Sequence, residues 1–471
     1  MRTSLSLILV LFTASAAAEQ SSVQEALLRA KPAVALVVSE VGAVVTLRCG
    51  TGNERRVSPA PFRETGTGWL VDSGGWVITN ARVASAATEP GASVTAELLE
   101  KAVRTECLPA LLAARGLRSG DRPDVERDLL HQTLVAVEKT AALKLNPSIS
   151  VLLSNGIRFP ATVVKQSPPL RGQAMSGRDL ALLRVEAADM PVLPLADSSV
   201  LKIGDPLHIL GFPGVVLTHE LLSASAKVEA SVTSGAISGF RQDASGQPVI
   251  ETDAPAAWGN SGGPVVNNSG RVVGVLGFVT LESSGGGIVQ GFNFVIPSSA
   301  VRDFLEGTGV PASGPSKFNA AWDAGLAAFF AGNHRRAAPL LREANRLLPD
   351  LPDVRRITAE NEERIKNPPP RSFPWALVAI TVTVASGLAV GWAGFVRWKR
   401  NRFRIRAAEV ARLLETSPEP PIILDVRSRE TYEKSPVRLP RAEHVTPEDL
   451  ASGATRIPSM DRDRVVVAYC T

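Results

Sequence analysis

The sequence predicts a multidomain protein: an all-β barrel or sandwich domain carrying a helical insertion, an α-helical hairpin unit, one transmembrane helix and a partial α/β domain. Three observations carry that expectation. From about Pro32 to Leu305, short β-rich runs alternate with Gly, Asn, Ser and Asp turns, the pattern of a barrel or sandwich protein. Residues 92–142 interrupt the pattern with helical spacing, as in Leu98-Leu99-Glu100-Lys101 and Leu129-Leu130-His131, which reads as an insertion looped out of the β-domain. Finally, Pro374 to Val396 is a run of 23 residues without a charge, the length of a bilayer crossing.

Bulk composition narrows the field. The 471 residues suffice for two to four domains. Apolar residues at 45% and charged residues at 21% describe an ordinary globular chain. A formal charge of +5 is too small at this length to argue for nucleic acid, and much of it sits in one cluster: Arg397, Lys399, Arg400, Arg402, Arg404 and Arg406. Ahead of the apolar run, within a similar distance, lie only Arg364, Lys366 and Arg371. The bias places the C-terminal tail in the cytoplasm and the large N-terminal part in the periplasm or outside the cell. Residues 1–18 agree, with Arg2, the apolar run Leu5 to Phe12 and the small residues Ala16 to Ala18, features of a secretory signal peptide. Cys49 and Cys107 then fall where disulfides persist, and Cys470 in a reducing compartment. A Cys49–Cys107 bridge fits that topology, although sequence leaves their separation open. No cysteine or histidine spacing resembles a metal site, and nothing calls for a cofactor.

Along the chain, strands are expected at Val34–Val38, Gly68–Val71, Trp76–Thr79, Ser150–Leu153, Leu180–Val185, His208–Leu210 and Arg271–Leu276. A Gly/Pro/Ser linker covers 307–317. Residues 318–366 form a helical unit, in which Gly325, Gly332, Ala337, Ala344 and Pro349 resemble a single tetratricopeptide-like repeat. A plain helical hairpin fits as well, since one repeat cannot bury a solenoid face alone. Either would serve as a spacer or a partner-docking surface. Asn367-Pro368-Pro369-Pro370 stiffens the approach to the membrane.

The chemistry centres on Thr252-Asp253-Ala254-Pro255, Gly259-Asn260-Ser261-Gly262-Gly263-Pro264 and the following Val272-Val273-Gly274-Val275. Glycines allow a tight turn in which the N–H groups of Gly259 and Ser261 converge, an oxyanion hole for attack by Ser261 on a carbonyl. With its flanking strands this string resembles the trypsin-like serine peptidases, within them the HtrA/Do-like branch. Further matches keep order and spacing: Gly66-Thr67-Gly68-Trp69-Leu70-Val71, Gly75-Trp76-Val77-Ile78-Thr79-Asn80, Arg178-Asp179-Leu180-Ala181-Leu182-Leu183, Gly211-Phe212-Pro213, Thr233-Ser234-Gly235 and Gly291-Phe292-Asn293-Phe294-Val295-Ile296-Pro297. The resemblance covers about 24–306 apart from the insertion. It implies two six-stranded antiparallel barrels with the site between them. The PDZ domain usual in that branch is absent from this sequence, so capture by a PDZ groove is not expected.

One position departs. Where the family reads Thr-Asn-x-His-Val, this chain reads Thr79-Asn80-Ala81-Arg82-Val83. Arginine cannot accept a proton in a protein, and losing the base of such a triad costs on the order of a millionfold in kcat. Asp179, whose family role is to orient the histidine, either forms a charge-assisted pair with Arg82, with a bidentate geometry open to it, or merely caps a turn.

Residues 405–471 resemble a rhodanese domain. Ala407–Leu414 reads as its first helix, Ile422-Ile423-Leu424-Asp425-Val426-Arg427-Ser428-Arg429-Glu430-Thr431-Tyr432 as a strand and turn, and Arg464 to Cys470 as the strand delivering a catalytic thiol. Cys470 is followed only by Thr471, so the anion-cradling loop is not in this sequence and the domain is expected to be inactive as it stands, with a structural Cys470 as the alternative. The leading expectation is a membrane-tethered pseudoprotease that binds peptides, unfolded proteins or partner proteins outside the membrane. An active endopeptidase with an unusual base and a transmembrane link to a rhodanese-type module are the rivals.

Overall fold

The computed structural model describes residues 22–50, 52–168, 178–243, 245–281, 288–312, 314–368, 375–453 and 463–470. The signal-peptide expectation at 1–18 lies outside them. Contacts divide the chain into two units, residues 1–369 and 370–471.

In the first unit, β1 (Val34–Arg48), β2 (Glu54–Val57), β3 (Phe62–Asp72), β4 (Trp76–Thr79), β5 (Ala142–Leu153), β6 (Arg158–Gln166) and β7 (Ala181–Val185) form one sheet, in the order β2-β1-β3-β4-β7-β6-β5. A further antiparallel pairing of β5 with β1, from Ala35↔Leu153 to Thr46↔Ala142, closes six of these strands into a barrel. The start of β1 is apolar at every position because it is buried on both faces. Ala35 and Val37 point into the barrel with Leu70, Val77 and Leu183. Val34, Leu36 and Val38 pack outward with Trp69, Ile78, Leu210, Phe212 and Val275. The second barrel is closed in the order β10-β13-β12-β11-β8-β9 by β8 (Pro206–Gly211), β9 (Ser231–Gln242), β10 (Pro248–Thr252), β11 (Pro264–Val266), β12 (Val272–Leu281) and β13 (Ile288–Pro297). Leu207, Ile209, Ile250, Val265, Val273 and Val295 fill it. The outward residues of β1 and β3 thus weld the two barrels, burying apolar side chains at roughly 25 cal/mol per Å².

The insertion consists of helices Ala92–Glu106, Leu108–Ala113 and Pro123–Glu138, and β5 begins at Ala142. It builds a small core of its own, Leu98, Val103, Leu129 and Val137, against Val41, Val45 and Leu47 on the far half of β1. A disulfide between Cys49 and Cys107, with Cα atoms 5.2 Å apart, ties it to the end of that strand.

Three helices follow, Lys317–Phe330, His334–Leu347 and Pro352–Lys366. Gly325 lets the first two approach closely, since a Cβ there would lie 2.8 Å from Leu341 Cδ2. The unit is not a free spacer. Buried Trp322 joins the core cluster of the first barrel and donates its indole N–H to Leu28 O at 2.9 Å. Asn319 brackets Val192, accepting its N–H at 2.9 Å and donating to its carbonyl at 2.8 Å. Lys31 reaches Asp353 on the third helix at 2.9 Å.

In the second unit, helix Trp375–Asn401 is long and apolar enough to cross a membrane, with a mean hydropathy of 1.9 over its best 18-residue window. Pro374, where the span was expected to begin, lies outside the described residues. Helix Ala407–Thr416 precedes a parallel sheet of β14 (Ile422–Asp425), β15 (Glu443–His444) and β16 (Val466–Tyr469), ordered β15-β14-β16.

Candidate active site

Pairing of β4 with β7, Thr79 opposite Ala181, brings the segment after one strand beside the segment before the other. Asn80 is extended, and Ala81 starts the helix Ala81–Thr88. Asp179 sits two residues ahead of β7 with φ +47°, a backbone conformation uncommon outside glycine. Its carbonyl accepts the Ala81 N–H at 3.0 Å and the Asn80 side-chain amide at 2.9 Å. Its carboxylate accepts the Arg82 backbone N–H at 3.0 Å, capping the helix from a neighbouring strand. Arg82 Nη1 stands 3.3 Å from Asp179 Oδ2, and Nη2 donates to Asn80 Oδ1 at 3.1 Å. Both sequence alternatives for Asp179 therefore hold at once. The bidentate geometry does not: one oxygen is committed to the backbone N–H, and Oδ2 faces the guanidinium without a directed hydrogen bond. Asp179 is fully buried, whereas the Arg82 side chain is 26% exposed. Burial pushes the Asp179 carboxyl up to about 6, against the pull of the Arg82 guanidinium and the two backbone N–H groups.

Opposite lies the turn of Ser261. Gly259 (φ +96°) and Gly262 (φ +85°) are both in the region that favours glycine. A Cβ on Gly259 would strike Phe212 O, and one on Gly262 would lie 2.8 Å from Asn80 N. Thr67 holds the turn across the barrels, donating its N–H to Ser261 O at 2.9 Å and its hydroxyl to Gly259 O at 2.7 Å. Thr79 Oγ1 in turn donates to Thr67 O at 2.8 Å. Within the turn, Gly263 N–H bonds Asn260 O and Gly262 N–H bonds Leu276 O. The N–H groups of Gly259 and Ser261 take no acceptor among the described residues. Ser261 is half-buried, and its hydroxyl makes no hydrogen bond to Arg82, whose side-chain partners are Asn80 and Asp179.

The predicted residues Ser261, Gly259, Asp179 and Arg82 thus meet in one cleft. A Cβ placed on Gly66 would lie 2.5 Å from Val83 Cγ2 and 3.1 Å from Ser261 O, so the residue after Arg82 and the nucleophile turn converge there. No histidine bonds Ser261 or Asp179 among the described residues. His208 is held by Ser234 Oγ at 2.8 Å and Asn268 Oδ1 at 2.9 Å, and His131 and His219 are exposed on the insertion helix and a surface loop. Sequence reasoning missed Glu64, a half-buried side chain near enough to Arg82 and Asp179 to feel both charges. Burial raises its carboxyl, Arg82 opposes that and Asp179 adds to it. The signal was available as strand alternation, which puts Glu64 on the Gly66 face of β3.

In the second unit, Cys470 directly follows β16 as an exposed thiol. Beside that strand the Asp425 carboxylate takes two bonds from the Arg427 guanidinium at 2.8 and 2.5 Å and one from the Tyr469 hydroxyl at 2.6 Å. Among the described residues no group of His, Cys, Asp and Glu could hold a metal ion. A cleft of about 990 Å³ lined by Glu229, Arg355 and Arg356 shares no residue with the Ser261 site.

Comparison with known proteins gives the following likenesses. Residues 66–275 match a family described as the trypsin-like peptidase domain. Serine protease HTR4 of Bos taurus is 35% identical over 161 residues, 33% of this chain and 28% of the relative. A probable periplasmic serine endoprotease, DegP-like, of Chlamydia pneumoniae is 33% identical over 162 residues, 34% of this chain and 28% of the relative. The match therefore spans little more than a quarter of the length of these relatives. Among solved structures, the HtrA-type protease AlgW with decapeptide aligns at 20% identity and a TM-score of 0.35, covering 60% of this chain and 66% of that one.

Proposed function

With a trypsin-like peptidase domain of HtrA/DegP type as the premise, we propose that this chain is a membrane-anchored homologue that binds peptides or unfolded segments outside the membrane and does not cleave them at a useful rate. One observation carries the reading: Arg82 occupies the place of the proton acceptor, with its guanidinium turned to Asp179 and Asn80. A permanently charged donor cannot take the Ser261 proton, and without that step the alkoxide needed for attack does not form. The cleft keeps what binding requires, namely the free N–H pair at Gly259 and Ser261 and the glycine-lined turn.

The helix Trp375–Asn401, followed by Arg402, Arg404 and Arg406, supports one crossing with a cytoplasmic tail. The glycine and alanine spacing of residues 318–351 supports a tetratricopeptide-like unit, and the parallel sheet ending at Cys470 supports a rhodanese-like tail.

A fluorophosphonate probe tests the proposal on the full chain in detergent micelles. It should leave Ser261 unlabelled, because phosphonylation needs the same proton removal. Labelling that disappears in Ser261→Ala would overturn the reading and favour a working hydrolase, for which the unpartnered N–H groups of Gly259 and Ser261 are the supporting feature.

A further inference from the structure

Glu64 is a charged group at the cleft that the geometry above leaves without work. It lies opposite Ser39 in the β1–β3 ladder, on the same face of β3 as Gly66, two residues and about 7 Å along the strand. That face is the one where Val83 and the Ser261 turn close over Gly66. Glu64 is half-buried, yet its carboxylate takes no hydrogen bond and no ion pair among the described residues. Its cationic neighbours make no ion pair with it, although the Arg82 guanidinium acts on it through space. Arg82 is engaged by Asp179 and Asn80, and Arg63, the next residue on the strand, is paired with Glu40 at 2.8 Å.

The cleft therefore holds two carboxylates, Asp179 and Glu64, around one guanidinium. Desolvating an unpaired carboxylate is costly. An incoming cation would supply the hydrogen bonds and the balancing charge that the protein itself does not.

We infer that Glu64 is a subsite for a lysine or arginine side chain of a peptide bound across the Ser261 turn. The inference rests on the peptide-binding reading. A backbone carbonyl of that peptide would sit at the Gly259 and Ser261 N–H groups, and the strand spacing puts the cationic side chain one or two residues from it.

The test uses the wild-type full chain in detergent micelles and fluorescein-labelled nonapeptides of Gly, Ser and Leu. A single Lys, Gln or Glu is moved through each peptide, and binding is read by fluorescence anisotropy. At one position the Lys peptide should bind about tenfold or more tightly than its Gln counterpart, the size of one charge-assisted hydrogen bond. Glu64→Gln should erase that difference while keeping the affinity for the Gln peptide. Glu64→Lys should transfer the preference to the Glu peptide, and if that variant does not fold, the near-isosteric Glu64→Gln decides. Equal binding of Lys and Gln peptides to the wild type, or a Lys preference that survives Glu64→Gln, overturns the inference alone. Absence of binding by every peptide overturns the peptide-binding reading, and the inference with it.

Discussion

Arg82 Nη1 stands 3.3 Å from Asp179 Oδ2, on the buried carboxylate that would orient an imidazole in a working triad. The same carboxylate caps the helix that Arg82 helps to begin. The aspartate thus has a structural role that persists without catalysis, and Arg82 tempers the cost of burying it.

Activity is the direct test of that arrangement. The wild-type full chain in detergent micelles should hydrolyse unfolded casein no faster than Ser261→Ala. Arg82→His should produce cleavage that depends on Ser261, because Asp179, the Gly259 and Ser261 amides and the glycine turn are already in position. Release of fluorescent casein fragments reads the result. A folded but silent Arg82→His variant would show that the cleft lacks more than the base.

Stability should carry the signature of Asp179. Its carboxyl, at about 6 in the folded chain, has an ordinary value of 3.8. The folded state therefore holds a proton that the unfolded state releases earlier. The resulting stabilisation is fully present below about pH 4 and is lost as pH rises through about 6, on the order of 3 kcal/mol. Urea unfolding of the wild type and Asp179→Asn at several pH values should show the difference between them growing over that window, with the wild type losing stability relative to the variant as pH rises. Parallel pH profiles would refute the assignment.

The docked helices make another prediction. Trp322→Ala removes a side chain that is 1% exposed and shared with the core of the first barrel. A loss of about 3–5 kcal/mol is expected, and it should lower the midpoint of the β-domain as well as that of the helices. Thermal melts followed by far-UV dichroism, in the strand band and in the helix band, and by tryptophan fluorescence should shift together. A β-domain unaffected by the change would mean that the helices fold independently.

Topology can be read with reporter fusions. Under the proposed topology, in which the basic cluster from Arg397 to Arg406 keeps the tail inside, alkaline phosphatase should be active when joined near Gly309 and inactive when joined near Ser417. Activity at the second junction would reverse the arrangement and the reducing setting assigned to Cys470.

What the sequence determined by itself was local chemistry and its order. Gly259, Ser261 and Gly262 spell a turn whose backbone only glycines tolerate, the strands alternate at period two, and Arg82 is visibly a residue that cannot accept a proton. These are legible because each depends on residues a few positions apart. Tertiary structure alone decided how distant segments approach. It placed the Asp179 carboxylate on a backbone N–H as well as beside the Arg82 guanidinium, so the pair is not bidentate. It used Thr67 to bind the two halves of the cleft, seated Trp322 against the first barrel, and left Glu64 half-buried without a partner. Periodicity tells which face a side chain takes, but what meets it there depends on barrel closure between strands such as β1 and β5, more than 90 residues apart. Burial and unpaired charge arise only from that closure, which is why the proton-refusing chemistry of Arg82 could be read from the chain and its electrostatic surroundings could not.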